Sequence, residues 1–482
     1  MSDSSENMKS AFVAWMRDQG LSDKTISSYA ETGMNYCHKL LENEGTISVD
    51  LYDANPGQLA HYIQILNNNQ EWIKKNKKGK QMYSAAINKY QKFILSNDPG
   101  MIKKPCIVSD FTKAAIAAML KFEDQMVIRF VSSLCTKPFV ILTGLSGSGK
   151  TKLAQAFSSW ICENEKDQVC MVPVGADWTN REPLLGYPNA LVSGEYVKPD
   201  NGVIELLVRA SEDESRPYFL ILDEMNLSHV ERYFADFLST MESGDSMPLH
   251  AGSDDWGNVP PSIKLPQNLF IIGTVNVDET TYMFSPKVLD RANVIDFRVA
   301  ASEMESFLQN PAKPDFDDLK GAGAGMAADF VRIAAGDTPD SPQKNDINDA
   351  LISFFNELKK TGAEFGYRTA SEIHRLAGMI HHLTEADGDA WETNTVIDAA
   401  IIQKLLPKVH GSRSKLEPVL TALAKLCLID GVNDAPVLLK SFEDTPENIS
   451  ADDKVRFKQS LEKILRMRAR VVKDGFTSFA EA

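Results

Sequence analysis

Residues 139–156 read FVILTGLSGSGKTKLAQA, and Gly144-Leu-Ser-Gly-Ser-Gly149-Lys150-Thr151 within them has the G-x-x-x-x-G-K-[ST] spacing of a phosphate-binding loop. Each residue type has a task there. Gly144, Gly147 and Gly149, with Ser146 and Ser148 between them, let the backbone turn its N–H groups toward phosphate oxygens. A helix opening at Lys150 adds a favourable dipole. Lys150 supplies the charge that meets the β- and γ-phosphates, and the Thr151 hydroxyl is a donor for Mg²⁺. The expected substrate is a nucleoside triphosphate, GTP or ATP.

Three further stretches carry chemistry of the same kind. The apolar run Tyr218–Leu222 ends in Asp223-Glu224. There Asp223 would hold the metal through its water shell, and Glu224 would orient and deprotonate the attacking water. A second run, Leu269–Thr274, leads to Asn276, which can hydrogen-bond the γ-phosphate or the lytic water without adding charge. The segment YMFSPKVLDRANVIDF then offers Arg291, with Arg298 as the second candidate, as a cation that reaches a neighbouring copy's site.

These groups need a scaffold, and the apolar pattern supplies one. Strands are predicted at 139–142, 169–174, 218–222 and 269–274, with a helix over 122–134 and another following the phosphate loop. The Gly/Pro-rich stretch 175–189 reads as a substrate- or partner-contacting loop or as a structural connection. Residues 1–97 have helical spacing throughout and form a small all-α domain. QGLSDKTISSYAETGMNYCHKLL resembles the DNA-gripping core-binding domain of tyrosine recombinases. Lys74, Lys75, Lys77, Lys78 and Lys80, flanked by Trp72 and Tyr83, are candidates for a phosphate backbone, or else a solvated turn between helices. Residues 98–118 open with Pro and Gly and read as a linker. Residues 119–300 form the nucleotide-binding core, 301–345 a loop-rich connection, and 346–482 a helical lid with C-terminal helices.

Bulk properties set outer bounds. The 482 residues carry 43% hydrophobic and 24% charged residues and a net charge of −15, as a globular protein of two to four domains would. Residues 1–110 hold 13 Lys/Arg against 12 Asp/Glu and net +1, so the remainder nets −16. A polyanion-binding surface is therefore expected in the N-terminal part. Six scattered cysteines without a C-x-x-C pair read as free thiols of a reducing cytoplasm. No signal-peptide pattern opens the chain, and Arg129 and Lys137 interrupt its longest apolar stretch, so a cytoplasmic protein is expected.

With the phosphate loop, the Asp-Glu pair, Asn276 and Arg291 in this order, the sequence resembles the AAA+ superfamily. LDEMNLSHVERYFADFLSTMESG and GTVNVDETTYMFSPKVLDRA are most similar to its McrB branch, the motor subunits of modification-dependent restriction systems. The resemblance implies an α/β AAA+ P-loop NTPase: a parallel sheet flanked by helices plus a helical lid, preceded by the all-α domain. It places Asn276 at the sensor-1 position. It also implies a homo-oligomeric, hexameric ring, a McrC-type nuclease partner, DNA contact through the N-terminal domain, and no membrane association. It assigns Arg368, in EFGYRTASEIHRLAGMI, as a lid arginine (sensor 2) touching the γ-phosphate. Arg375 reads as structural, and Lys408, His410 and Arg413 as a solvated loop or else a contact with a neighbouring subunit. Where better-known members carry Asn-Thr-Ala-Asp, this chain has Asn276-Val-Asp-Glu279, which leaves GTP and ATP both open. A nuclease site at Asp349, Glu357 and Lys359 is rejected, because those residues follow a helical pattern. The rival readings are a MoxR-like chaperone and a nucleotide-controlled assembly switch.

Overall fold

The computed structural model describes residues 3–18, 21–43, 46–47, 50–54, 56–79, 82–97, 106–277, 282–299, 301–309, 311, 313–339, 341, 344–387, 391–480 and 482. The chain divides into two compact units, Met1–Lys103 and Lys104–Ala482. Lys80, Asp278 and Glu279 lie outside the described residues.

The first unit is helical. Ser22 caps the short helix Asp23–Ser27 by accepting from Thr25 N–H, and a π-turn, Ser28–Gly33, leads into Met34–Asn43. Helices Pro56–Asn68, Gln70–Lys78 and Met82–Asn97 complete the packing around Phe12, Tyr52, Tyr90 and Phe93. The hydroxyls of Tyr52 and Tyr90 are satisfied by main-chain carbonyls, Tyr52 on Ala30 at 2.8 Å and Tyr90 on Tyr52 at 2.7 Å. Lys74, Lys75, Lys77 and Lys78 are exposed on Gln70–Lys78, whose regular turns replace the expected solvated turn. Trp72 and Tyr83 are buried in the core, so they are packing residues and not part of a stacking surface. Lys75 lies over the partly exposed ring of Tyr36.

The second unit is built on a five-stranded parallel sheet. Its strands are β1 (Phe139–Gly144), β2 (Val169–Pro173), β3 (Tyr218–Asp223), β4 (Leu269–Asn276) and β5 (Asn293–Asp296). They are ordered β2-β3-β4-β1-β5. The central strands read as continuous apolar runs because helices cover both faces of the sheet. Every residue of β1 and β4 is buried. This is the α/β P-loop NTPase fold that the sequence implied. Helix α1 (Ile107–Ala117) corrects one boundary, since part of the predicted linker 98–118 is regular structure. Ile107, Val108, Phe111 and Ala115 are buried in the same core as the sheet. Helix α2 (Asp124–Thr136) leads into β1, and α3 (Lys150–Ile161) leaves the phosphate loop.

The stretch 175–189 is also more ordered than its composition implied. It contains the turn of helix Glu182–Leu185, with Leu184 and Leu185 buried, and the first strand of a hairpin, Tyr187–Pro188 with Tyr196–Val197. The hairpin tip just beyond it is exposed, with Leu191 94% accessible. Beyond β5 the chain is mainly helical, and its core is continuous with that of the sheet. Helix α4 (Tyr367–Asp387) and helix α5 (Lys458–Asp474) carry most of the lid's charged contacts. Asp349, Glu357 and Lys359 share the helix Lys344–Lys359. Among the described residues no helix is long and apolar enough to cross a membrane.

Candidate active site

The C-terminal ends of β1, β3, β4 and β5 lie along one edge of the sheet, where parallel α/β folds place their ligands. Gly149, at φ 105°, takes the left-handed conformation that starts α3 directly after the loop. Gly144 must lack a side chain because a Cβ there would collide with the Phe297 carbonyl at the end of β5. Lys150 is 4% exposed, and its ammonium donates to the carbonyls of Gly144 at 2.9 Å and Leu145 at 2.6 Å. The cation is thus held inside the curve of the loop that would receive the phosphates.

The acidic pair is tied to this loop by hydroxyl groups. Thr151 Oγ1 donates to Asp223 Oδ1 at 2.8 Å. Thr274, on the neighbouring strand, donates to the same oxygen at 2.7 Å and accepts the Glu224 N–H at 3.0 Å. Glu224 has φ 54°, a conformation uncommon for a residue with a side chain. Asn276 Nδ2 donates to Glu224 Oε1 at 2.8 Å. Asn226 Nδ2 reaches the Asn276 carbonyl at 3.3 Å, and its own carbonyl accepts Tyr282 N–H. Thr151, Asp223, Glu224 and Asn276 are therefore brought together as the sequence reading requires. Thr274 and Asn226 were missed by that reading. The signal for Thr274 was its place two residues before Asn276, on the same face of a strand. Asp223 and Thr151 offer one carboxylate and one hydroxyl, hard donors that suit Mg²⁺ held mainly by water and phosphate.

Arg291 and Arg368 lie at the other edge. Arg291 precedes β5, and β5 pairs with β1 from Val140↔Asn293 to Thr143↔Asp296. The six residues of β1, at roughly 3.3 Å each, set that edge about 20 Å from the phosphate loop. An arginine there cannot reach the phosphates of its own chain. Arg291 is 9% exposed, donates to the carbonyls of Leu238 and Lys287, and pairs with Glu242. Arg368 joins the same group, with bonds to Glu242 Oε1 at 2.8 Å and Asp290 Oδ2 at 3.1 Å. The sensor-2 assignment of Arg368 within one chain is thereby corrected, because its helix starts beside Arg291 and away from the phosphate loop. Burial and the nearby Arg368 both push the Arg291 guanidinium below its ordinary range.

Three lysines complete this cluster. Lys408 donates to Asp290 Oδ1 at 2.7 Å and to Thr369, so it is a structural cation and not part of a solvated loop. Lys137 binds the Asp290 carbonyl and Glu372, and Lys404 binds the Ala292 carbonyl and Glu372. Burial would raise Asp290, but the hydrogen bond and charge of Lys408, with Lys137 and Arg368, bring it below the usual carboxylate range. Arg298, the second finger candidate, sits at the far end of β5 beside Asp296 and bonds the Ala482 carbonyl. It belongs to the phosphate-loop edge. Arg375 is structural as expected: it donates to the carbonyls of Thr136, Cys135, Gly336 and Ala334, which close two helix ends.

Comparison with known proteins found the following similarities. Over 246 residues the chain is 25% identical to the type IV methyl-directed restriction enzyme EcoKMcrB subunit of Escherichia coli (strain K12), a match covering 49% of this chain and 52% of that protein. The chain thus spans about half the length of the curated relative it matches. Residues 318–476 match the family described as Domain of unknown function (DUF8727), which takes in most of the lid and none of the phosphate loop. Among solved structures, a putative ATPase from Cytophaga hutchinsonii aligns with a TM-score of 0.43 at 14% identity, covering 63% of this chain and 88% of that one. The similarity to the McrB subunit, together with the sheet and its phosphate loop, supports an AAA+ NTPase.

Proposed function

We propose that this chain is the Mg²⁺-dependent, GTP- or ATP-hydrolysing motor subunit of a DNA restriction system. It assembles into a homo-oligomeric, hexameric ring and powers a McrC-type nuclease partner. The observation that carries the hydrolytic part is the hydrogen-bonded set Thr151, Asp223, Glu224 and Asn276 at one edge of the sheet. Glu224, held by Asn276, takes the proton of the attacking water, and Asn276 keeps that carboxylate turned toward the phosphates. Lys150 leaves its loop carbonyls to meet the β- and γ-phosphates, and the loop N–H groups orient them. Bound Mg²⁺, held through Thr151 and Asp223, supplies charge neutralisation at the transferring phosphoryl group.

The separation of the two edges supports the ring reading. Arg291 and Arg368 lie too far from their own phosphate loop and belong to the site of an adjacent copy, where Tyr367, 96% exposed beside them, meets that copy's surface. The similarity to the McrB subunit supports the restriction role and the nuclease partner. The test is hydrolysis of ATP and of GTP by the full chain, with and without duplex DNA and the McrC-type subunit. Stimulation by that subunit, with one nucleotide preferred, is the expected result. Turnover indifferent to DNA and to the nuclease would favour a protein-remodelling role of the MoxR kind.

A further inference from the structure

We propose that Thr274 is a positioning residue for hydrolysis, its hydroxyl fixing Asp223 and Glu224 relative to one another; the inference rests on the hydrolase reading above. Thr274 is 2% exposed and lies on β4, one place beyond the Leu222↔Gly273 pair, which sets it beside Asp223. A hydroxyl has one proton to give and lone pairs to accept with. Thr274 uses both capacities: the proton goes to Asp223 Oδ1 at 2.7 Å, and a lone pair takes the Glu224 N–H at 3.0 Å. One buried oxygen therefore touches the metal-holding carboxylate and the backbone of the general base.

The backbone bond matters because of the conformation it holds. Glu224 sits at φ 54° without being glycine, and such a residue persists only where its surroundings over-determine it. Two side chains on one face of β4 supply that restraint. Thr274 holds the N–H, and Asn276, two residues along the same face, holds the carboxylate at 2.8 Å. With Thr274 gone, the Glu224 N–H loses its acceptor and Asp223 Oδ1 keeps only Thr151, at 2.8 Å. Glu224 then relaxes toward an ordinary conformation, and its carboxylate swings off the line set by Asn276. Nucleotide binding by the phosphate loop does not pass through Thr274, so the loss falls on the chemical step.

The experiment compares T274V with T274S in the full chain, measuring steady-state hydrolysis of ATP and GTP across a Mg²⁺ titration. Nucleotide binding without Mg²⁺ and thermal unfolding are measured alongside. Valine keeps the shape and removes the hydroxyl; serine keeps the hydroxyl and removes a methyl. T274V is expected to lose kcat by about tenfold or more, the scale of one lost hydrogen bond in the transition state. It should also need more Mg²⁺ for half-maximal rate and bind nucleotide within about twofold of wild type. T274S is expected to recover most of kcat. A T274V protein with wild-type kcat overturns the inference, as does an equal loss in T274V and T274S, which would mark a packing role. If T274V does not fold, T274A makes the same comparison. Absence of turnover in the wild type, with DNA and the nuclease subunit present, would count against the hydrolase reading itself.

Discussion

Glu224 and Asn276 illustrate how residue chemistry and position divide the work. In the proposed reaction the carboxylate acts as the base and the amide of Asn276 holds it, so the two are separable by substitution. Glu224→Gln keeps an oxygen for Asn276 Nδ2 but cannot take a proton. Turnover is expected to fall by about 100-fold or more, while nucleotide binding, measured by fluorescence titration, stays intact. Retained turnover would move the general base to another residue. Lys150→Ala should instead weaken binding itself, because the ammonium lies within the loop that receives the phosphates. Thr151 and Asp223 already share a hydrogen bond, so the side chains that would serve Mg²⁺ are aligned by the fold.

At the scale of elements, the lid fastens to the arginine edge through buried charge. The π-turn Ile401–Leu405 widens the helix path so that the consecutive Gln403 and Lys404 are both buried. Gln403 bonds Arg129 and Ser133, and Lys404 reaches Ala292 next to Arg291. Burial pulls Lys404 down to about 8, with Glu372 opposing the shift. A lysine depressed on folding costs stability while it must stay protonated. That cost is present below pH 8 and is relieved as pH rises from about 8 toward the unfolded value near 10.5. Lys404→Met removes this titration along with the bonds to Ala292 and Glu372, so the stability of wild type relative to the variant should rise by roughly 2 to 3 kcal/mol between pH 7 and pH 10. Urea unfolding of both proteins at a series of pH values reads this difference; a pH-independent difference would show that Lys404 is not held as a buried cation. The helix Gln70–Lys78 raises a separate question of the same scale, since its four described lysines are exposed together. Changing them to glutamine should weaken duplex DNA binding and flatten its salt dependence by up to roughly 0.9 per lysine in the log–log slope. Unchanged binding and slope would assign that helix to solvated surface.

For the whole molecule, the two opposed edges give the proposed ring a direct test, because in it each site would join the phosphate loop of one copy to the arginines of the next. The phosphate loop lies at the C-terminal ends of the strands, and Arg291, which precedes β5, lies at their beginnings with Arg368 bonded beside it. Arg291→Ala and Lys150→Ala proteins are each expected to be inactive alone. Mixed, they should regain turnover, because an intact loop from the first can meet an intact arginine from the second. No recovery on mixing, under conditions where wild-type chains associate, would argue that Arg291 acts only through its bonds to Leu238, Lys287 and Glu242. Arg368→Ala offers the second comparison, since it removes one cation from Glu242 and one from Asp290, which keep Arg291 and Lys408, without touching the loop.

The sequence by itself determined the local chemistry. GLSGSGKT, the apolar runs ending in Asp223-Glu224 and at Asn276, and the helical periodicity of the first unit are local patterns, and local patterns survive in a one-dimensional reading. The parallel sheet followed from them, because strands separated by helical stretches pair in parallel and bury both faces. Only the tertiary structure decided which edge of the sheet each group occupies. Arg368 lies 78 positions from Asp290, yet the fold pairs them and so removes that arginine from its own phosphate loop. Lys408 read as a loop lysine until Asp290 was brought to it, and Thr274 read as the end of an apolar run until β3 was laid beside it. Ion pairs and strand neighbours are set by packing between distant segments, and residue spacing along the chain carries no record of that distance.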